Sequence, residues 1–196
     1  MIRRILAAAA LPFYLTLTTP VYAQVEELVL RVDGMSCPMC AGNLTSKFGD
    51  EEGVLEPDID WKSGDVIIDW DPGLPLDLSA LYAAVKKAGM TVGAARGTFA
   101  GMLERDDEAY YLVLPVEEEQ RLRLFEPSLH DGEDEEEELV LGDVADVISV
   151  SEEMLEKLDG LLAEGIIVRV SGPLLRQGED GAKLALGIEA IEEAEE

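Results

Sequence analysis

The sequence is poor in basic residues, in histidine and in cysteine. Its 196 residues include 15 Lys and Arg against 42 Asp and Glu, and the formal net charge is −27. Nucleic-acid binding needs clustered Lys and Arg to neutralise phosphates, so this balance argues against nucleic acid as a partner. The acidic excess peaks at residues 117–119 and 131–138. It is typical of a solvated, self-repelling surface, and the alternative is a sink for a polyvalent cation.

The chain also lacks the residue sets of common hydrolytic and phosphate-handling enzymes. Its single histidine, His130, lies beside the acidic run, where we expect it to be solvated rather than to bind a ligand. One histidine in a loop supports no Ser/His/Asp arrangement, and no glycine-rich phosphate loop follows a predicted strand. We therefore expect that the chain is not an enzyme.

The first 23 residues have the pattern of a secretory signal peptide. Arg3 and Arg4 precede a mostly apolar stretch from Ile5 to Leu17, and small residues precede a cut after Ala23. The stretch is short for a membrane span, and an uncleaved anchor is the alternative. We exclude residues 1–23 from the fold and expect a periplasmic or secreted protein, with no stable membrane span after signal cleavage.

Residues 26–96 have the hydrophobic pattern of an α+β domain with the order β-α-β-β-α-β, the ferredoxin-like arrangement. Some segments have the apolar pattern of strands, and the segments between them have apolar residues at helical spacing. The predicted strands are 27–32, 54–60, 65–70 and 90–95, and the helices begin near Pro38 and Leu78. Pro57 interrupts the second strand, which is therefore expected at a sheet edge or bulge.

The only two cysteines, Cys37 and Cys40, lie in the loop GMSCPMC between the first strand and the first helix. Two thiols at this spacing can close a disulfide, exchange electrons or bind a soft metal ion. As thiolates they favour Cu(I) and, by the same softness, Hg(II), whereas Zn(II) usually takes four ligands. Cys40 is expected in the first helical turn, where backbone N–H groups and the helix dipole lower the pKa of a thiol.

Further motifs accompany the cysteine pair. The loop GMSCPMC matches the pattern Gly-Met-x-Cys-x-x-Cys, and Gly53-Val54, Asp69 to Pro72 and Lys87 to Met90 follow at matching positions. On these residues, the segment 26–95 resembles the heavy-metal-associated domain of copper chaperones, metal-pumping ATPases and the periplasmic mercury-binding protein. Two residues depart from the family pattern. Glu51 replaces a buried leucine, which predicts an early end of the first helix, and Met90 replaces the usual tyrosine or lysine.

The resemblance implies that Cys37 and Cys40 bind a metal ion as thiolates, with Cu(I) first, Hg(II) second and Zn(II) possible. It also implies that the chain carries or sequesters this metal outside the cytoplasm and hands it to a transporter or another carrier protein. Among nearby residues, Met35 is expected in the core, Met39 in solvent and Asp33 in an ordinary turn. Met90 either packs the domain edge or faces the cysteine loop, where its thioether can shield or weakly bind Cu(I).

Two other functions remain open for the cysteine pair. Cys-Pro-x-Cys also resembles the active loop of glutaredoxins, so a periplasmic thiol–disulfide oxidoreductase using Cys37 and Cys40 is the alternative function. The short predicted helix and the lack of a proline-preceded strand argue against that fold. A structural disulfide is the least favoured role, because it closes a very small loop. A metal-independent adaptor, in which the acidic second domain does the binding, is the third hypothesis.

Residues 97–192 are predicted to form a small β-rich accessory domain with one helix. The predicted strands are 109–116, 120–125, 166–172 and 182–191, and the helix follows Ser151. The last two strands resemble the closing strands of an OB-fold, which indicates a small barrel. Residues 193–196 are expected to form a frayed acidic tail. The domain is expected to dock a transporter or carrier through a basic surface on the partner, since opposite charges steer encounter.

Overall fold

The computed structural model describes residues 25–107, 109–116, 119–127, 150–177 and 183–194. The predicted signal peptide at residues 1–23, His130 and the acidic run 131–138 lie outside these residues. Among the residues that are described, no helix is long and apolar enough to cross a membrane.

The N-terminal unit has the predicted β-α-β-β-α-β order. Its elements are β1 (Val25–Asp33), α1 (Pro38–Phe48), β2 (Val54–Asp60), β3 (Asp65–Trp70), α2 (Leu78–Lys87) and the first half of β4 (Thr91–Arg105). The strands lie in the order β2-β3-β1-β4, and neighbouring strands are antiparallel. The predicted α+β class is confirmed, and β2, which contains Pro57, is an edge strand as expected.

The helices of the N-terminal unit bury one face each against the sheet. Leu44 and Phe48 are the buried residues of α1. The buried residues of α2 are Leu78, Leu81, Ala84 and Val85. Helix α1 ends at Phe48, and Glu51 lies beyond it with its carboxylate accepting a hydrogen bond from Lys87 Nζ at 2.9 Å. The early end of this helix was expected, because a carboxylate replaces the leucine that would extend the apolar face.

The described residues of the C-terminal part form five further strands and one helix. They are β5 (Tyr110–Leu114), β6 (Gln120–Phe125), α3 (Glu152–Glu164), β7 (Ile167–Gln177), β8 (Lys183–Gly187) and β9 (Ala190–Glu193). Strands β4, β5, β6, β8 and β7 pair in that order, and β7 pairs again with β4. These five strands therefore form a closed ring, called the strand ring below. The β6–β8 pair is its parallel pair.

Strand β4 belongs to both parts of the molecule. Its residues 91–99 pair with β1, residues 96–102 pair with β7 and residues 102–105 pair with β5. The predicted domain boundary at residue 96 falls inside this strand. Since β4 continues without a break across that position, the two parts are joined by a hydrogen-bonded strand rather than by a linker.

Side-chain contacts reinforce this junction. Arg169 of β7 donates two hydrogen bonds to the Glu26 carboxylate, at 2.5 and 2.9 Å, and a third to Glu192 at 3.2 Å. The hydrogen bonds to Glu26, followed by the one to Glu192, raise the pKa of Arg169. The Gln120 side-chain amide exchanges two hydrogen bonds of 2.9 Å with the backbone of Leu76. Both contacts lie far from the cysteine loop.

The C-terminal end is paired further than expected. Residues 193–196 were predicted to be a frayed tail, but Glu193 ends β9 and the Ala194 N–H donates to the Ile167 carbonyl at 3.0 Å. Ile191 is buried and anchors β9 against β7. This buried side chain, with the Arg169–Glu192 ion pair, explains why an acidic segment remains in the sheet. Residues 195 and 196 lie outside the described part.

Gly53 allows the chain to enter β2 beside a buried tryptophan. Its φ is +93°, and a methyl group there would overlap the indole ring of Trp70. We expect Gly53→Ala to lower the free energy of unfolding by about 3 kcal/mol, because strain and overpacking add. Urea unfolding of the reduced, metal-free protein measures this change.

Gly42 provides the matched control for this substitution. It lies within α1 and an added methyl group has open space around it. Gly42→Ala is expected to raise the stability by about 0.5–1 kcal/mol, since alanine loses less backbone entropy in a helix. Equal effects of the two substitutions would contradict the described turn at Gly53.

Candidate metal centre

The cysteine loop connects the end of β1 to the start of α1. Gly34 turns the chain with a φ of +91°, a conformation that an L side chain rarely adopts. Pro38 occupies the start of α1, where its missing N–H leaves no broken hydrogen bond. Cys37 is the N-cap residue in an extended conformation, and its sulfur accepts a hydrogen bond from the Cys40 N–H at 3.1 Å. Cys37 therefore lies at the cap, and Cys40 lies in the first turn, where it was predicted.

The two cysteines lie next to each other at the helix terminus. Their Cα atoms are 5.2 Å apart, and the two sulfur atoms are joined as a disulfide. This separation lies within the range that disulfides span, although a disulfide was the least favoured role in the sequence analysis. The structure therefore shows the oxidised pair, whereas the predicted metal ligands are the two thiolates of the reduced pair.

The surroundings of the pair favour thiolates once it is reduced. No acidic residue lies in the first turn of α1, so no carboxylate there opposes a second negative charge. The unpaired N–H groups at a helix start and the positive end of the helix dipole stabilise a thiolate. Cys37 and Cys40 are both half-buried. They are therefore accessible from solvent and still partly shielded by protein.

The carboxylate and thioether groups near the loop have distinct positions. Asp33 was expected in a turn, but it is the last residue of β1, and its carboxylate lies over Gly93 of β4. Met35 packs against the core, and Met39 is 83% exposed, both as predicted. Met90 is only 9% exposed, and its side chain lies against Gly34. Within the described segments, no group of three or more His, Cys, Asp or Glu side chains is arranged to hold a metal ion.

One neighbour of the site was missed by the sequence analysis. The Asn43 side chain donates a hydrogen bond of 3.5 Å to the Ala88 carbonyl, which ties α1 to the turn between α2 and β4. Asn43 lies three residues after Cys40, and this helical spacing places both on one face. That spacing is visible in the sequence, but the contact joins positions 45 residues apart. Only the packing of the two helices brings them together.

Comparison with known proteins gives a family match for this part of the chain. The model of the heavy-metal-associated domain family matches residues 29–91. The search of curated proteins gives no significant match.

Several solved structures are similar over about one third of the chain. A CopZ metallochaperone is 27% identical, covers 34% of this chain and 97% of its own, and has a TM-score of 0.32. A putative copper-ion-binding protein from Bacillus anthracis str. Ames is 27% identical, covers 36% of this chain and 99% of its own, with a TM-score of 0.33. A yeast copper transporter domain, CCC2A, is 19% identical, covers 34% of this chain and 92% of its own, with a TM-score of 0.31.

The family match spans the middle of β1 to the first residue of β4 and includes both cysteines. A domain of this kind binds metal and is not itself catalytic, which agrees with the expectation drawn from the sequence. Residues 29–91 of this chain are therefore a heavy-metal-associated domain.

Proposed function

We propose that the protein binds a soft metal ion through reduced Cys37 and Cys40, and that it carries or sequesters this ion for handover to a partner. One observation carries the proposal. The two cysteines of the chain lie together at the accessible N-terminus of α1, in a domain of a metal-binding family. The metal ion is the cargo of the protein rather than a resident cofactor.

The donor set supports a soft ion of low coordination number. Two sulfur ligands, with no group of three or more His, Cys, Asp or Glu among the described residues, suit a soft ion. We propose Cu(I) as the preferred cargo and Hg(II) as the next candidate. Zn(II) is the weakest candidate, because it usually takes four ligands. The Asp33 carboxylate, which would favour a harder ion, lies over Gly93 instead.

The position of the strand ring supports handover. Strand β1 has the cysteine loop after Asp33 at one end and the Arg169 contact of Glu26 at the other. Glu26 and Asp33 are seven residues apart, and a strand rises about 3.3 Å per residue, so these ends are about 23 Å apart. The ring thus joins the domain away from the loop. A two-ligand site with an open side can accept a ligand from a second protein, and a shared intermediate then allows release.

A Cu(I) titration tests the proposed cargo. The reduced protein is titrated without oxygen against a chromogenic Cu(I) chelator, beside the Cys37→Ser, Cys40→Ser double variant. We expect one tight equivalent for the wild type and none for the variant. A serine hydroxyl still caps α1, so the variant is expected to fold, and its melting curve against the reduced wild type checks this. If neither Cu(I) nor Hg(II) binds above the variant, the carrier proposal is wrong.

The proximity of the two sulfur atoms also supports a second candidate function, a thiol–disulfide oxidoreductase. In such a reaction the Cys37–Cys40 disulfide accepts two electrons and two protons from a substrate dithiol, which becomes a disulfide. A cysteine at a helix terminus suits this chemistry. The same protein samples distinguish the two functions. Insulin reduction above the level of the double variant, without tight metal binding, supports the oxidoreductase, and the reverse result supports the carrier.

We further propose that the strand ring is an OB-like barrel that docks the metal's recipient or donor. Its support is the pairing order β4-β5-β6-β8-β7-β4, with the helix α3 between β6 and β7, which resembles the five-stranded barrel of that fold. An experimental structure in which β6 and β8 are not neighbours would contradict the barrel. The sign of the net charge favours a basic surface on the partner, which we propose to be a transporter or another carrier.

Ionic strength tests this electrostatic part of the proposal. The association rate of the metal-loaded protein with a purified carrier or transporter domain is expected to fall by about tenfold or more from low to high salt, because salt screens the attraction. Stopped-flow fluorescence measures the rate, and an uncharged osmolyte at matched viscosity is the control. A rate independent of salt would argue against a basic docking surface.

We propose that the protein acts outside the cytoplasm after removal of residues 1–23. The support is the pattern of the first residues of the sequence, with Arg3 and Arg4 before the apolar stretch. Mass spectrometry of the exported protein is expected to find Gln24 at its N-terminus. Ala23→Arg is expected to block cleavage, because the cut requires a small residue there. A full-length wild-type chain in the membrane fraction would instead indicate an uncleaved anchor.

A further inference from the structure

Met90 lies directly opposite the start of the cysteine loop. The ladder between β1 and β4 ends with the pair Asp33 and Thr91, so Gly34 and Met90 are the next facing residues. A side-chain carbon at Gly34 would lie 3.9 Å from Met90 Cα and 4.0 Å from its Cγ. Because Gly34 has no side chain, the stem of Met90 lies against the loop backbone, three residues before Cys37.

The first turn of α1 approaches the same turn from the other side. Cys40 and Asn43 share a helix face, and Asn43 donates its hydrogen bond to Ala88, two residues before Met90. Cys40 also packs against the hydrophobic core that includes Met90. The turn that carries Met90 therefore lies between the beginning of the cysteine loop and the helix face of the second cysteine.

The backbone holds Met90 in this position. Gly89 has a φ of +83°, and the Met90 N–H donates to the Val85 carbonyl at 3.1 Å. With 9% of its surface exposed, Met90 is shielded from water, whereas Met39 between the cysteines is 83% exposed. A buried thioether is a soft, uncharged donor, so it adds no charge to a pair of thiolates.

We propose that Met90 is part of the metal site and that its thioether sulfur becomes the third ligand of a Cu(I) ion held by Cys37 and Cys40. The inference rests on the proposed function and specifies its metal selectivity. Cu(I) accepts a third sulfur donor, whereas Hg(II) is satisfied by two thiolates in a nearly linear arrangement. Met90 thus favours retention of Cu(I) over Hg(II) at the same cysteine pair.

Met90→Leu and Met39→Leu form a matched pair for the test. Each removes one sulfur atom and keeps a similar apolar volume, so both variants are expected to fold. We expect Met90→Leu to weaken Cu(I) binding about tenfold, a factor that corresponds to the loss of one weak ligand, and to leave Hg(II) binding within about twofold. Met39→Leu is expected to change neither. Competition titrations with the reduced proteins measure both affinities.

X-ray absorption identifies the ligand directly. In Cu(I)-loaded protein grown with selenomethionine, the selenium edge is expected to show a copper neighbour in the wild type and in Met39→Leu, but none in Met90→Leu. An unchanged Cu(I) affinity in Met90→Leu, or no copper neighbour of selenium in the wild type, overturns the proposal for Met90. Either result leaves the cysteine carrier intact provided that the wild type binds Cu(I) and the double serine variant does not.

Discussion

Strand β4 is hydrogen-bonded to β1 through residues 91–99 and to β7 and β5 through residues 96–105. Its buried Phe99 lies at the point where these two sets of pairings overlap. Burial of such a side chain contributes about 1.5–3 kcal/mol, whereas a partly exposed ion pair such as Arg169–Glu26 contributes at most about 1 kcal/mol. The shared strand and its apolar residues, rather than the ion pairs, therefore hold the two parts in one arrangement.

This arrangement determines which end of the heavy-metal-associated domain is not covered by the strand ring. The ring uses the end of β1 near Glu26, and the loop 71–77 is attached to it through Gln120. The cysteine loop and the turn at Met90 lie at the opposite end of the same strands. The cysteines are therefore accessible without displacement of the ring. The net charge affects how partners approach but does not choose the fold.

Local patterns in the sequence predicted most of the elements and their order. Pro38 marks the start of α1, and Pro57 marks β2 as an edge strand, because each effect acts within a few residues. The single continuous strand across residue 96 was not predictable in this way. Gly93, Gly97 and Gly101 break the apolar pattern of β4, and its continuity depends on pairing with β7, about 70 residues later. Likewise, the order of strands in the ring depends on contacts that no local pattern records.

The candidate site likewise has one part that the sequence predicts and one part that only the fold brings into place. The two candidate metal ligands follow from their spacing as cysteines, while the third ligand that we propose, Met90, lies about 50 residues away. The chain brings them together through the β1–β4 ladder and the Asn43–Ala88 hydrogen bond. A carboxylate at that turn would add a hard ligand and a negative charge, and a lysine would add a positive charge beside the thiolates. A buried thioether adds neither, so in the proposed site the cysteine pair keeps its soft character, and Cu(I) is distinguished from Hg(II) by coordination number alone.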